Sequence, residues 1–370
     1  MRIAMIGQKG LPAQSGGIEK HVEELSTRLV QAGHEVSVFT RPNYTEKNQE
    51  NYKGIKLISL PSINTKHLDA ISHTFLATLK VIFSRKYDLV HYHGIGPSSL
   101  IWLVRLFRPG LPVVSTFHCQ DYYHQKWGLL SRTYLKIGEY MCCKLPDKVI
   151  TVSQGLKEYT EKKYQRQADY IPNGVNIYPA REAKNIQEKW GLLPGEYILS
   201  VSRLVRHKGI HHLIQAYQKL DTDKKLVIVG ESVFTDDYCR EIKKMAGSNS
   251  NIIFTGKQTG EVLQELYSNA FLFAQPSESE GLSIALLEAM SYSLPAIVSN
   301  IPENLEAAGE ESFSFRSGDP KDLADKLKFA LDNPKELRTK GEKEKERISR
   351  EYNWENITSE TISLCQSVLK

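Results

Sequence analysis

The sequence predicts an α/β protein built of two doubly wound, parallel-sheet (Rossmann-like) domains facing a cleft. Three observations carry this reading. The chain has 370 residues, more than one hydrophobic core ordinarily supports, so it divides. Short runs rich in β-branched residues alternate with longer segments of helical period, the pattern of a parallel sheet covered on both faces. That alternation breaks once, at "YIPNGVNIYPAREAKN" (170–185), and then starts again.

In order, "RIAMIG" (2–7), "EVSVFT" (35–40), "IKLISL" (55–60), "DLVHYH" (88–93), "PVVSTFH" (112–118) and "KVITVS" (148–153) read as strands. The first helix follows from Ile18, Val22, Leu25 and Leu29, whose 4-3-4 spacing puts one apolar stripe on a helix. These elements make residues 1–172 one doubly wound domain. Pro172, Asn173-Gly174 and Pro179 are turn formers, so 173–187 is expected as the interdomain linker and hinge. "YILSVS" (197–202), "KLVIVG" (225–230), "NIIFTG" (251–256), "FLFAQP" (271–276), "PAIVSN" (295–300) and "SFSF" (312–315) then read as the strands of a second domain, 188–352. Trp354 opens a last helix within 353–370, with Ile357, Ile362, Leu364 and Leu369 available for packing.

Apolar content of 41% and charged content of 25% are those of a soluble globular chain. No apolar run approaches the ~18–20 residues that span a bilayer, and "RIAMIG" lacks the layout of a signal peptide. A cytoplasmic location is the expectation. Five cysteines (119, 142, 143, 239, 365) show no CxxC spacing. They read as free thiols in a reducing compartment, with no metal site. The net charge of +5 is uneven: residues 1–180 hold 23 Lys+Arg against 14 Asp+Glu, the remainder 25 against 29. A basic first half suggests an anionic neighbour, either nucleic acid or a membrane surface. A chance imbalance on solvated faces fits as well.

In open α/β sheets, ligands bind beyond the carboxyl ends of the strands, so the segments after each strand matter most. "GQKGLPAQSGGIEKHV" (7–22) does not satisfy G-x-G-x-x-G, which argues against a nicotinamide-dinucleotide site. Gly16 and Gly17, just before the first helix, would let a ligand approach the backbone; a plain flexible loop is the alternative. After "YILSVS", Arg203 and Lys208 flank a helix start and could clamp a diphosphate, or be two surface cations. After "FLFAQP" comes "SESEGLSIALLEA" (277–289), read as a helix from about Gly281 to Tyr292. Glu280 and Glu288, eight positions apart, are then separated by roughly 12 Å along the axis. One compact ion cannot bridge them, but an extended ligand with hydroxyls at both ends and a phosphate between can. The amides near Leu282 and Ser283 suit that phosphate. An acidic helix start is also favourable without any ligand.

"GGIEKHVEEL…GHEVSVFT", "VSRLVRHKG", "PSESEGLSIALLEAM" and "SLPAIVSNIPE" together resemble the retaining family 4 glycosyltransferases of GT-B fold, in the family's order and spacing from Met1 to about Tyr352. The opening "IGQKGLPAQSGGIE" further resembles bacterial polysaccharide-biosynthesis enzymes, some of them rhamnosyltransferases. The resemblance implies a hexosyl- or deoxyhexosyltransferase that moves a sugar, with retention, from a nucleotide diphosphate donor (UDP, GDP or dTDP) to a hydroxyl of a lipid-linked glycan. It implies that Glu280 contacts the donor sugar, the amides of Gly281, Leu282 and Ser283 meet the phosphate, and Glu288 holds the ribose. Arg203 and Lys208 would neutralise the leaving diphosphate. Gly16 and Gly17 would shape the cleft floor, and His118 would stand beside the donor sugar and acceptor. His91 and His93 are weaker candidates. The final helix would cross back onto the first domain.

The family's common "EGFG" is "EGLS" here, which changes the pocket lining, and Glu303 stands where relatives often carry glycine, so no role passes to it. No DxD-type pair stands at a strand end, so the expectation is no cofactor and no metal, with cations and helix dipoles stabilising the leaving group. Two other readings stay open: a nucleotide-sugar 2-epimerase on the same fold, and a non-enzymatic protein binding an anionic polymer. No nucleic-acid-binding module is recognisable. Peripheral docking on an anionic inner leaflet suits Lys80, Arg85, Lys86, Arg105 and Arg108 beside "HTFLATLKVIF" and "IWLVRLFRPG".

Overall fold

The structure is a computed structural model that describes residues 1–14, 16–46, 49–65, 67–123, 128–232, 235–309 and 312–369. It divides into two compact units, 1–174 with 354–370, and 175–353.

The first unit contains β1 (Arg2–Ile6), α1 (Gly17–Gln31), β2 (Glu35–Thr40), β3 (Asn51–Tyr52), β4 (Ile55–Ser59), α2 (Asp69–Ser84), β5 (Leu89–His93), α3 (Ile95–Ser98), α4 (Ile101–Phe107), β6 (Val113–Phe117), α5 (Leu129–Lys144), β7 (Lys148–Thr151), α6 (Gln154–Tyr164) and β8 (Asp169–Tyr170). Its sheet runs β3-β4-β2-β1-β5-β6-β7-β8, parallel except for the antiparallel β3–β4 pair. That pair is joined by Lys53 and Gly54, both at positive φ (51° and 82°), as a two-residue hairpin turn requires. β5 and β6 are buried at every position, as strands covered on both faces must be. The stripe on α1 packs Val22, Leu25 and Leu29 against Ile3, Met5, Val36 and Val38.

The second unit contains α7 (Asn185–Trp190), β9 (Tyr197–Val201), α8 (Ile210–Tyr217), β10 (Lys225–Val229), α9 (Asp236–Ala246), β11 (Ile252–Gly256), α10 (Gly260–Asn269), β12 (Leu272–Gln275), α11 (Ile284–Ser291), β13 (Ala296–Ser299), α12 (Pro302–Ala308), β14 (Phe313–Phe315), α13 (Pro320–Asp332) and α14 (Pro334–Glu351). Its parallel sheet has the order β11-β10-β9-β12-β13-β14. The chain then returns to the first unit as α15 (Trp354–Ser367). Trp354, Ile357 and Leu364 join the core under α1, and Trp354 lies so close to Gly174 that a Cβ there would sit 2.4 Å from its ring.

Residues 175–187 belong to the second unit rather than to a free linker. Glu265 on α10 accepts from the amides of Lys184 (3.1 Å) and Ile186 (3.2 Å) and from the Asn185 side chain (2.6 Å). Arg181 reaches Glu261 at 2.7 Å. The turn-forming residues at 172–174 sit at the change of unit, whereas Asn185 already opens α7.

Candidate functional site

Each sheet reverses its strand order once: between β1 and β5 in the first unit, and between β9 and β12 in the second. Ligands of doubly wound folds bind at such points, beyond the carboxyl ends of the strands. The candidate residues gather at both.

In the second unit, the loop after β9 crosses the loop after β12. Gly209 (φ +66°) makes the crossing possible: a Cβ there would lie 1.9 Å from the Pro276 carbonyl oxygen. The amide of Glu278 donates to the His207 carbonyl at 2.8 Å. These contacts deliver Lys208 to Glu280, where Nζ meets both carboxylate oxygens at 2.5 and 2.6 Å. The pair is largely buried, with side-chain exposures of 14% and 7%. Glu280 also accepts from Gln275 Nε2 (2.7 Å) and Ser277 Oγ (2.6 Å). Gln275 reaches Ser283 Oγ at 3.1 Å as well. Ser299 Oγ donates to the Ser277 carbonyl and accepts from Asn304 at 2.9 Å. Arg203, half-buried just past β9, has no carboxylate partner among the described residues. Burial, with Glu280 a lesser contributor, raises the Glu303 carboxyl above its ordinary range.

Two expectations change here. The helix starts at Ile284, not near Gly281, because Ser283 is its N-cap, its hydroxyl accepting from the Leu286 amide at 3.3 Å. Glu280 therefore lies in the loop before the helix, and the 12 Å helical separation from Glu288 does not apply. Glu288 has a protein partner: it accepts from the Tyr267 hydroxyl at 3.3 Å. Tyr267 stacks on Tyr292 with centroids 5.7 Å apart, and burial, then Glu288, holds its hydroxyl well above the usual range. A carboxylate keeps acceptor capacity after one such bond.

Gln275 and Ser277 were not singled out from the sequence, although a signal exists. Gln275 is a polar residue at the buried end of an otherwise apolar strand, and such a group requires partners.

In the first unit, Gly7 (φ +130°) closes the same kind of seam, since a Cβ there would lie 2.3 Å from the His93 carbonyl oxygen. His93 ends β5, and His118 follows β6 directly. His93 Nδ1 and His118 Nε2 are 3.2 Å apart. His21 on α1 faces His118 edge-on at 4.9 Å. His91 shares a 2.7 Å bond with Thr116 Oγ1, which accounts for it as a packing residue. Burial lowers all four imidazoles: His21 to about 4, His91 to about 3, His93 and His118 well below the ordinary value. They are neutral at neutral pH.

Gly16 (φ +103°) does precede α1, but its open side is covered: a Cβ there would lie 2.1 Å from Glu19 Oε2. Glu19 Oε1 accepts from the Lys9 amide at 3.1 Å, and Glu23 from the Ala13 amide at 2.6 Å. The loop is thus tied to α1 by carboxylates, and Gly17 is exposed at the helix start. Among the described residues, two groups bring ligand-type atoms within 4.8 Å of one another and could hold a metal ion: His21, His93 and His118, and His211, His212 and Glu278. In each, two members already share a hydrogen bond.

Residues 15–178 match the family model described as Glycosyltransferase Family 4, and residues 182–347 the one described as Glycosyl transferases group 1. An uncharacterized glycosyltransferase of Methanocaldococcus jannaschii is 28% identical, with 98% of this chain and 97% of that protein covered. The alpha-monoglucosyldiacylglycerol synthase of Streptococcus pneumoniae is 26% identical over 90% of this chain and 78% of its own length. Among solved structures, HepE of Anabaena in complex with UDP-glucose superposes with a TM-score of 0.82 at 18% identity, covering 99% of this chain and 100% of that one.

Proposed function

We propose that this chain, a glycosyltransferase of the GT-B type, moves a sugar with retention from a nucleotide diphosphate donor to a hydroxyl of a lipid-linked glycan in bacterial cell-surface polysaccharide synthesis, without a metal or cofactor. The observation that carries the reading is the Lys208–Glu280 pair at the strand-order reversal of the second unit; Arg203, in the same loop after β9, has no carboxylate partner among the described residues. A donor diphosphate competes with Glu280 for Lys208. Arg203 supplies a second cation, and preorganised charge of this kind stabilises a departing diphosphate. Glu280, released from its lysine and still held by Gln275 and Ser277, then accepts from the sugar hydroxyls. The amides of Gly281 to Ser283 lie beside the phosphate, and Glu288 accepts from the ribose.

In the first unit, His118 serves the acceptor side as a neutral imidazole, with Gly16 and Gly17 shaping the adjacent loop. The bond from the anomeric carbon to the phosphate oxygen breaks, the acceptor oxygen bonds that carbon on the face the diphosphate leaves, and the departing phosphate takes the acceptor proton. A rhamnosyl-type deoxyhexose is the narrower reading of the sugar. The catalyst works in the cytoplasm, in peripheral contact with the inner leaflet where lipid-linked acceptors lie. Similarity to a protein solved with UDP-glucose, and to a synthase whose product name is a glycolipid, supports donor and acceptor classes.

A thermal-shift panel of UDP, GDP, dTDP and CDP, with and without EDTA, on wild type and Arg203→Ala tests this. A ligand that binds only the folded state raises the melting temperature by mass action. One diphosphate should give an EDTA-insensitive rise that Arg203→Ala loses. No rise from any of them, or a rise abolished by EDTA, overturns the donor site as described.

A further inference from the structure

His21, His93 and His118 converge in the first unit from three places: α1, the end of β5 and the residue after β6. One ligand-type atom of each lies within 4.8 Å of the other two. Their ring centroids stand 4.9, 5.5 and 5.6 Å apart. Three imidazoles held on a tetrahedral ion by bonds of about 2.0–2.1 Å stand about 5 Å apart by the same measure. The nitrogens His93 Nδ1 and His118 Nε2 are 3.2 Å from each other, against about 3.4 Å for two ligand atoms of such an ion. Filling the site therefore exchanges the proton those two share for a metal and turns the His21 ring. His21 Nδ1 is buried and has no hydrogen-bond partner. Asn173 bonds the same ring, as a neighbouring polar group ordinarily does for a metal-bound imidazole.

We propose that His21, His93 and His118 form a zinc site, and that the bound ion withdraws His118 from the acceptor and so inhibits transfer. The chemistry of the donor set selects the ion. Three imidazoles without a carboxylate suit zinc and not magnesium or calcium, which take oxygen ligands. Burial keeps the three rings uncharged at neutral pH, the form that binds metal. Three protein ligands leave a fourth position to water. His118, 6% exposed, is the most accessible of the three, so the ion enters from its side. The other histidine group is a poorer cage. The His211 and His212 rings are 3.9 Å apart, closer than two tetrahedral ligands stand, and Tyr238 already bonds His211 Nδ1 at 2.9 Å. The ion is an inhibitor and not a cofactor, since the reaction proposed above uses none. Its effect on transfer, though not its binding, rests on the acceptor role given there to His118.

The test is metal titration of the untagged full chain, stripped with EDTA and dialysed. Wild type should take up one Co²⁺ with the visible absorption of a tetrahedral ion, and Zn²⁺ should displace it. His21→Gln and, separately, His93→Gln should each weaken Zn²⁺ binding about tenfold or more while keeping the UDP-induced shift in melting temperature. His211→Gln/His212→Gln should bind like wild type. Saturating Zn²⁺ should lower transfer about tenfold or more at low acceptor, in competition with the acceptor and not with the nucleotide sugar. No uptake by wild type, or an octahedral spectrum, overturns the site whether or not the variants fold. So does binding that survives both single variants or is lost in His211→Gln/His212→Gln. A tetrahedral spectrum with undiminished transfer leaves the site standing and overturns both the inhibition and the acceptor role of His118, so the two readings fail separately.

Discussion

Lys208→Met removes the cation from Glu280 while keeping most of the buried stem. Taking one member from a buried ion pair costs about 3–5 kcal/mol, because the other charge stays in place without compensation. Glu280 keeps its donors Gln275 and Ser277, and its partner is 14% exposed, so the cost falls to or below the floor of that range, about 2–3 kcal/mol. For a unit spanning Val175–Asn353, each 1 kcal/mol moves the melting temperature by ~2–4 °C, and the second unit's transition should fall by roughly 4–12 °C. Glu280→Gln in the same background leaves no buried charge to strand, so the double variant should recover at least ~1 kcal/mol of the summed loss. Scanning calorimetry of the two single variants and the double, with and without UDP, reads both quantities. Additive losses, to within about 0.3 kcal/mol, would refute a pair formed in solution. A clear coupling together with an unchanged UDP shift would show that the pair holds the loops and does not serve the donor.

Gly209→Ala must either strain a left-handed residue, at ~1–2 kcal/mol, or push the Pro276 carbonyl away from a Cβ built 1.9 Å from it. Misplacing catalytic groups by about 1 Å can cost ~100-fold in rate, so transfer should fall far more than folding does when both are measured. Burial raises the Glu344 carboxyl from 4.5 to about 7. The fold therefore prefers its protonated form, and that stability is lost as pH rises from 4.5 through 7. Glu344→Gln should melt higher than wild type at pH 8 and match it near pH 4.5. His21 and His91 are lowered to about 4 and about 3 by burial. The stability that depends on their neutral form is present above 6.5 and lost as pH falls through those values, by up to ~1.4 kcal/mol per pH unit for each. Urea unfolding should show the acid sensitivity of the first unit eased in His91→Gln. Trp354→Ala empties the contact over Gly174, and the first unit should lose about 3–5 kcal/mol in the same measurement.

The sheets were legible because β-branched runs such as "KLVIV" and "RIAMI" are long enough to declare themselves. β3 and β8 were not, since a two-residue edge strand has no period to detect and is defined only by its neighbour. The start at Ile284 was mistaken for a simpler reason. The apolar run suggests a helix right after Glu280-Gly281, whereas the Ser283 hydroxyl takes up an orphan amide and sets the boundary. Lys208, Arg203 and Glu280 could each be marked by their position just beyond the end of a strand, but their relation could not. That Lys208 grips Glu280 depends on Gly209 passing under Pro276, a contact between segments some seventy residues apart in sequence. Gly16 misled in the opposite sense: a glycine pair suggests open backbone, and here the i+3 carboxylate of Glu19 fills the opening.

Both units use the same backbone device at the point where strand order reverses. A glycine after the first strand of the seam, Gly7 or the more distant Gly209, passes against a carbonyl at the end of the second, His93 or Pro276, where no Cβ fits. The side chains carried on that shared frame differ. The first unit gathers imidazoles that burial keeps uncharged, groups that can share a proton but cannot balance a diphosphate. The second pairs Lys208 with Glu280, charges in a largely buried site, where an added anion meets a cation at low effective dielectric. In the proposed function, that difference divides the work of glycosyl transfer: charge neutralisation falls to the second unit and hydrogen bonding to an uncharged hydroxyl to the first.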